Sequence, residues 1–359
     1  MEDLDTHVLR TALAWQGAGL QVVLVTVSRT WGSSPRPPGS LMAINERGET
    51  VGSVSGGCIE DDLIQRIREG GVQAACASTA PTVLRYGISA DEAHRFGLPC
   101  GGTVELVLEA VRPHTGLQAM WQASVERQSV ERVLNLQTGE ATLKRTQRGE
   151  QGDGVPRLTD THFHTYLGPA SRLIVIGAGD LSLFLCQMAM SLGFEVIVCD
   201  PRAEHRATWH LPGATLTHDM PDDLILRIKP DARTAVVALT HDPKLDDLAL
   251  IDALQSGAFY VGAIGSRRNS MARRARLKEH FGMSDEVLDS LHGPAGLYIG
   301  SKTPAEIALS IMAEIVAVKN GIHRPKPDTV ADGKAGFEAS ARRAGPAATS
   351  ADLPSSCAV

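Results

Sequence analysis

Arg172-Leu173-Ile174-Val175-Ile176-Gly177-Ala178-Gly179-Asp180-Leu181-Ser182 is the stretch that decides the fold of the second half of this chain. Its apolar run reads as a buried strand and its paired glycines as a tight turn. The following Leu181, Leu185, Met188, Ala189 and Leu192 fall on one face of a helix. The next run, Glu195-Val196-Ile197-Val198-Cys199, ends at Asp200, which lies 21 positions beyond Gly179 (200 minus 179), where an acid that holds a ribose belongs. Strand-like runs over 234–239 and 259–264 alternate with helical segments, so the expectation is a Rossmann-like, doubly wound parallel sheet. Two departures matter. Ser182 stands where the third glycine of the dinucleotide fingerprint usually lies, and Asp180 puts a carboxylate where a pyrophosphate would meet the helix. Gly177, Gly179 and Asp200 are therefore read as binding residues for a nucleotide such as NAD(P), with a scaffold-only domain as the alternative.

In such a sheet, polar residues at the carboxyl ends of strands face the ligand crevice. That makes His241 in Thr240-His241-Asp242 a candidate acid or base. Gly265-Ser266-Arg267-Arg268 follows the next strand, so Ser266 and Arg267 are candidates for holding phosphate at a helix start. Thr303-Pro304-Ala305-Glu306 reads as a capping box with proline at the first helical position; the apolar Ile307, Ile311, Ile315 and Val318 continue a core helix that closes near Gly321.

The first half reads as α+β. Leu4, Val8, Leu9, Ala12 and Leu13 share a helix face ahead of the strand run 22–27, and runs at 41–44 and 50–54 flank Asn45-Glu46-Arg47-Gly48-Glu49 as a hairpin. That hairpin feeds Gly52-Ser53-Val54-Ser55-Gly56-Gly57-Cys58-Ile59-Glu60, where close-approach glycines precede a thiol at a helix start, a position that favours thiolate. A second loop, Gly97-Leu98-Pro99-Cys100-Gly101-Gly102-Thr103, repeats the pairing of cysteine with Gly-Gly before the strand-like run 104–109. Gly56, Gly57, Cys58, Cys100, Gly101 and Gly102 together form one candidate site for a bound anion or a soft metal centre, the alternative being ordinary buried cysteines beside turn glycines. Cys76, Cys186 and Cys199 read as structural, and the two imidazoles of His162-Phe163-His164 lack partners at metal-site spacing.

At 359 residues two domains are expected. We read 1–146 as an N-terminal domain, the polar, glycine-rich stretch opening 147–168 as a linker, 169–323 as the Rossmann-like domain and 324–359, poor in large apolar residues, as a disordered tail. A net charge of -6 gives no footprint for nucleic acid, and no apolar run reaches the ~20 residues needed to span a bilayer. Six scattered cysteines and an acidic start suit a reducing cytoplasm.

With the upstream Gly32-Ser33-Ser34-Pro35-Arg36-Pro37-Pro38-Gly39, the two cysteine loops closely resemble the XdhC/CoxI family of xanthine dehydrogenase accessory proteins. Gly-Ser-Arg-Arg and Thr-Pro-x-Glu-Ile-Ala in the second half are similar as well. The resemblance covers nearly the whole chain except the tail. It implies a molybdenum cofactor (molybdopterin) chaperone of purine catabolism that protects the cofactor during sulfuration and inserts it into an apo molybdenum hydroxylase such as xanthine dehydrogenase. A cysteine desulfurase is the implied sulfur donor, and self-association is left open. In that reading Cys58 and Cys100 face molybdenum and Arg36 contacts the cofactor or shapes its loop. The alternatives are an NAD(P)-dependent oxidoreductase using His241, or a nucleotide-sensing regulator.

Overall fold

The computed structural model describes residues 4–31, 36–66, 69, 72–87, 103–146, 155–322 and 329–330. The chain divides into two compact units, 1–170 and 171–359.

In the first unit α1 (Leu4–Gly17) precedes β1 (Val22–Trp31), β2 (Leu41–Asn45) and β3 (Thr50–Gly52). After them come α2 (Cys58–Arg66), α3 (Val72–Ala77), β4 (Thr82–Tyr86) and β5 (Thr103–Ala110). The five strands form one sheet in the order β3-β2-β1-β5-β4, antiparallel at every pairing. The apolar run of β1 is explained by burial on both faces. Val23, Val25 and Val27 pack with Ile59 and Leu63 of α2, while Val22 and Leu24 pack with Val8, Leu9 and Ala12 of α1. Beyond β5, α4 (Leu117–Val125) leads to β6 (Val130–Asn135), β7 (Ala141–Arg145), β8 (Arg157–Leu158) and β9 (His162–Leu167). These make a second antiparallel sheet, ordered β7-β6-β9-β8.

The expected linker thus needs correction. Residues 147–154 lie outside the described residues, but β9 pairs with β6 along its whole length and belongs to the first unit. The reason is a period of two: Phe163, Thr165 and Leu167 are buried, whereas His162, His164 and Tyr166 alternate on the other face.

The second unit opens with β10 (Arg172–Ile176), α5 (Asp180–Ser191), β11 (Glu195–Cys199), α6 (Ala203–Thr208) and β12 (Thr215–Thr217). It continues through α7 (Pro221–Ile228), β13 (Thr234–Ala238), α8 (Pro243–Leu254), β14 (Tyr260–Ala263) and α9 (Arg267–Phe281). It ends with α10 (Asp285–Asp289), β15 (Leu291–His292) and α11 (Pro304–Lys319). The sheet is wholly parallel in the order β12-β11-β10-β13-β14-β15, the expected doubly wound arrangement. Leu185 and Ala189 of α5 pack with Ile311 and Ile315 of α11 on one face; Leu224 of α7, Leu250 of α8 and Leu277 of α9 fill the other. Thr303 and Glu306 form the capping box read from the sequence.

Most of the tail, 324–359, lies outside the described residues, yet Thr329 bridges to Leu297 and Val330 N donates to Gly296 O at 3.2 Å. Among the described residues no helix is long and apolar enough to cross a membrane.

Candidate functional site

In the five-stranded sheet, antiparallel pairing makes β1, β3 and β4 run the same way, with β5 starting where they end. Three motif-bearing segments therefore attach at one end of one sheet. The segment 32–39 leaves β1, the loop 53–57 leaves β3, and 88–102 joins β4 to β5. Thr103 pairs with Trp31 at the close of β1, and its hydroxyl donates to Gly87 O at 3.0 Å, clamping the two anchors of the third segment. Strand spacing puts β3 and β4 roughly 19 Å apart across this sheet. α2 ties the two sides: it starts after the β3 loop, and its Asp62 accepts from Tyr86 Oη at the end of β4 at 2.9 Å.

The loop before α2 is built around a carboxylate. Glu60 Oε1 accepts from Ser53 Oγ at 2.7 Å and from the backbone N–H groups of Val54, Ser55 and Gly56 at 2.9, 2.8 and 3.1 Å. Its Oε2 accepts from Ser55 Oγ and from Gly57 N, the latter at 3.0 Å. Gly56 and Gly57 sit at φ 90° and 146°, where a side chain would be strained. That curvature turns successive N–H groups inward, a concave anion nest filled by the chain's own carboxylate. Burial by itself would push the Glu60 carboxyl up, but the Ser55 and Ser53 hydroxyls and backbone donors outweigh it and lower the pKa from 4.5 to about 2. Arg36 joins the same network, its Nε donating to Ser53 Oγ at 3.4 Å.

Sequence reasoning missed Glu60. The signal was present: a glutamate three residues after Gly57, which caps α2, reaching back to that residue's N–H as in a capping box. Cys58 is the first residue of α2, as expected. Cys100, Gly101 and Gly102 lie outside the described residues. Cys76, Cys186 and Cys199 suit their structural reading: burial pushes Cys186 up to about 12 and, with the Asp219 and Asp200 charges, Cys199 likewise to about 12, and burial raises Cys76 too. His164 Nδ1 pairs with Glu131 Oε1 at 2.8 Å, and among the described residues no cluster of metal-binding side chains occurs.

In the second unit the strand order reverses between β10 and β13, the position where doubly wound sheets bind ligands. Gly177 and Thr240 pack there. A Cβ on Gly177, at φ +109°, would lie 2.9 Å from Thr240 Cγ2, so only glycine fits. At Gly179 a Cβ would meet nothing within 4 Å, so the protein interior does not demand this glycine. Its lack of a side chain leaves the start of α5 open to an incoming group. Ser182, the departure from the fingerprint, is buried with its Oγ donating to Gly177 O at 2.6 Å, so it braces the loop.

Asp200 is fully buried. Its Oδ2 accepts from Ala178 N at 2.8 Å and from Arg202 Nη2 at 2.9 Å, and its Oδ1 from Arg202 N and Nε at 3.0 and 2.9 Å. Burial raises its pKa less than Arg202 and these backbone donors lower it, and the carboxylate ties β11 to the glycine loop beneath the arginine. His241 is exposed and held at φ 64°, a conformation rare for a side-chain-bearing residue. Its loop is pinned by Thr240 Oγ1 donating to buried Asp246 at 2.6 Å; Asp246 in turn accepts from Arg273 Nη2 at 3.0 Å. Ser266 caps α9 by accepting from Asn269 N, and Arg267 is the first helical residue.

Two family models match the chain. One described as the XdhC Rossmann domain covers residues 173–315, and one described as the XdhC and CoxI family covers 15–87. A relative from Bacillus subtilis (strain 168), named as a probable xanthine dehydrogenase subunit, is 26% identical over 84% of this chain and 94% of its own length. The molybdenum cofactor insertion chaperone PaoD of Escherichia coli (strain K12) is 27% identical over 88% of this chain and 89% of its own. Among solved structures, one described as a xanthine dehydrogenase from Bacillus halodurans aligns with a TM-score of 0.69 and 25% identity, covering 92% of this chain and 99% of that one.

Proposed function

This chain belongs to the XdhC and CoxI family, and from that premise we propose that it binds molybdenum cofactor and delivers it to an apo molybdenum hydroxylase such as a xanthine dehydrogenase. The reading is supported by a relative named as a molybdenum cofactor insertion chaperone that aligns with 88% of the chain. The observation that carries it is the attachment of the Arg36, Cys58 and Cys100 segments at one end of one sheet.

Residue chemistry fits such a cargo. A cysteine opening a helix is biased toward thiolate, and thiolates suit a soft metal centre. Cys58 and Cys100 are assigned to the molybdenum end, with Gly101 and Gly102 allowing close approach. The N–H groups of Gly56 and Gly57 already serve Glu60, so these glycines shape the Cys58 loop rather than receive the cargo's phosphate. That phosphate, or a nucleotide, is assigned to Gly177, Gly179, Ser266 and Arg267, with Asp200 bracing the loop. The open start of α5 favours this reading over a scaffold-only second unit. A cysteine desulfurase supplying the sulfido ligand, a cytoplasmic location and self-association belong to the same proposal.

The test is anaerobic purification from cells that make the cofactor, with molybdenum measured by elemental analysis and pterin by fluorescence after acid oxidation. We expect both in the native protein, transfer to an apo-hydroxylase, and loss of retention by about tenfold or more in Cys58→Ser. Nicotinamide turnover without molybdenum or pterin would replace this reading by the oxidoreductase, with His241 as acid or base.

A further inference from the structure

The facing inner surfaces of the first unit's two sheets break their own apolar pattern at four positions. Along β1 the sequence goes Val22, Leu24, Thr26; along β6, Val130, Arg132, Leu134; along β9, Phe163, Thr165, Leu167; and β5 places Glu109 across from Leu24. Thr26, Glu109, Arg132 and Thr165 are all buried, Arg132 to 1% exposure. They line a cavity of about 200 Å³ with apolar walls from Leu9, Leu24, Leu117, Met120 and Leu167. Asp5, Tyr166, the segment 37–41 and Pro156 complete the lining, and a Cβ at Gly39 would come 3.5 Å from Pro156 Cγ.

Arg132 and Glu109 form a two-pronged ion pair through Nη1 and Nη2, and Arg132 Nε donates to Thr115 O at 2.7 Å. A guanidinium has five N–H donors, so one on each terminal nitrogen is left over among the described residues. Burying such a pair is costly when well-packed apolar residues would serve, and polar breaks in a core pattern are expected where function demands them.

From this geometry we infer that the cavity is a binding site for a neutral, planar heterocycle of one or two rings carrying a lactam edge. A cavity of about 150 Å³ holds benzene, so this one seats one ring in full and part of a second. The charge of Arg132 is already balanced by Glu109, which disfavours an anion. The spare guanidinium N–H groups suit a ring carbonyl, the Glu109 oxygens can accept from the adjacent ring N–H, and the threonine hydroxyls can do either. The inference stands apart from the delivery role and from Cys58.

Free pterin, a two-ring lactam, is the probe, titrated into the full-length protein by fluorescence, with quinoxaline as a two-ring control lacking the lactam. We expect saturable pterin binding at or below ~1 mM, about tenfold weaker binding of quinoxaline, and about tenfold weaker pterin binding in Thr26→Val and Thr165→Val. Native protein that binds free pterin saturably but retains no molybdenum would sink the delivery role and leave this site standing, so the two failures are separable. Absence of saturable binding, or binding indifferent to both threonine changes, overturns the inference. Should neither variant fold, hydrogen exchange of the native protein decides: pterin protecting residues 36–41 supports the site, and no protection overturns it.

Discussion

A single carboxylate organises the most informative loop of this chain, and its protonation is the sharpest test of that role. The folded-state pKa of Glu60 lies near 2, below its ordinary 4.5, so folding favours the ionised form. Its stabilisation is complete above pH 4.5 and is lost as the pH falls toward 2, an effect of about 3.5 kcal/mol at about 1.4 kcal/mol per pKa unit that solvent screening reduces to roughly 2–3 kcal/mol. In Glu60→Gln one acceptor oxygen becomes an amide donor facing backbone N–H groups, so about 2 kcal/mol should be lost at neutral pH. The variant's acid unfolding should also be flatter than the native curve between pH 4.5 and 2. Parallel native and variant urea midpoints across that range would show that Glu60 does not carry the loop. Cys58 and its glycines were legible in the sequence because flexible backbone beside a thiol is unusual. Glu60 was not, because a charged residue in an amphipathic run reads as solvated until its partners are known.

At the scale of elements, the turn between β10 and α5 contains two glycines with different reasons for being glycine. Gly177→Ala forces a Cβ into Thr240 at a positive φ and should cost of order 1–3 kcal/mol, lowering the melting temperature. Gly179→Ala meets nothing within 4 Å and should leave the melting temperature unchanged. If α5 receives a phosphate, that second change nonetheless weakens binding of NAD or a related nucleotide, read by titration of the purified protein; unchanged affinity would remove the nucleotide from this turn. The parallel sheet was legible because its central strands are buried on both faces and read as nearly unbroken apolar runs. β9 was hidden because it shows only one face to the core, so polar His162, His164 and Tyr166 interrupt it and a glycine-rich stretch precedes it. Asp200 was read at the right place, but its engagement with Arg202 depends on a packing that spacing does not encode.

For the molecule as a whole, the decisive fact is that each unit closes its own core. Val23, Ile44, Leu63 and Leu106 pack within the first, and Leu185, Ala189, Ile311 and Ile315 within the second. Sites with no shared partners add independently in stability, so damage to one core should register in that unit alone. Removing the fully buried ring of Phe163, which packs with Val107 and Leu134, costs about 3–5 kcal/mol; Ile311→Ala in the other core costs about 2–5 kcal/mol. Calorimetry should therefore resolve two transitions, one lowered by Phe163→Ala and the other by Ile311→Ala, each leaving its counterpart in place. A single transition displaced by either change would mean that the units unfold as one. In that case cargo chemistry in the first and nucleotide binding in the second would be energetically linked: a ligand at Gly179 would raise the melting of the unit that holds Cys58, and pterin and nucleotide titrations would depend on each other.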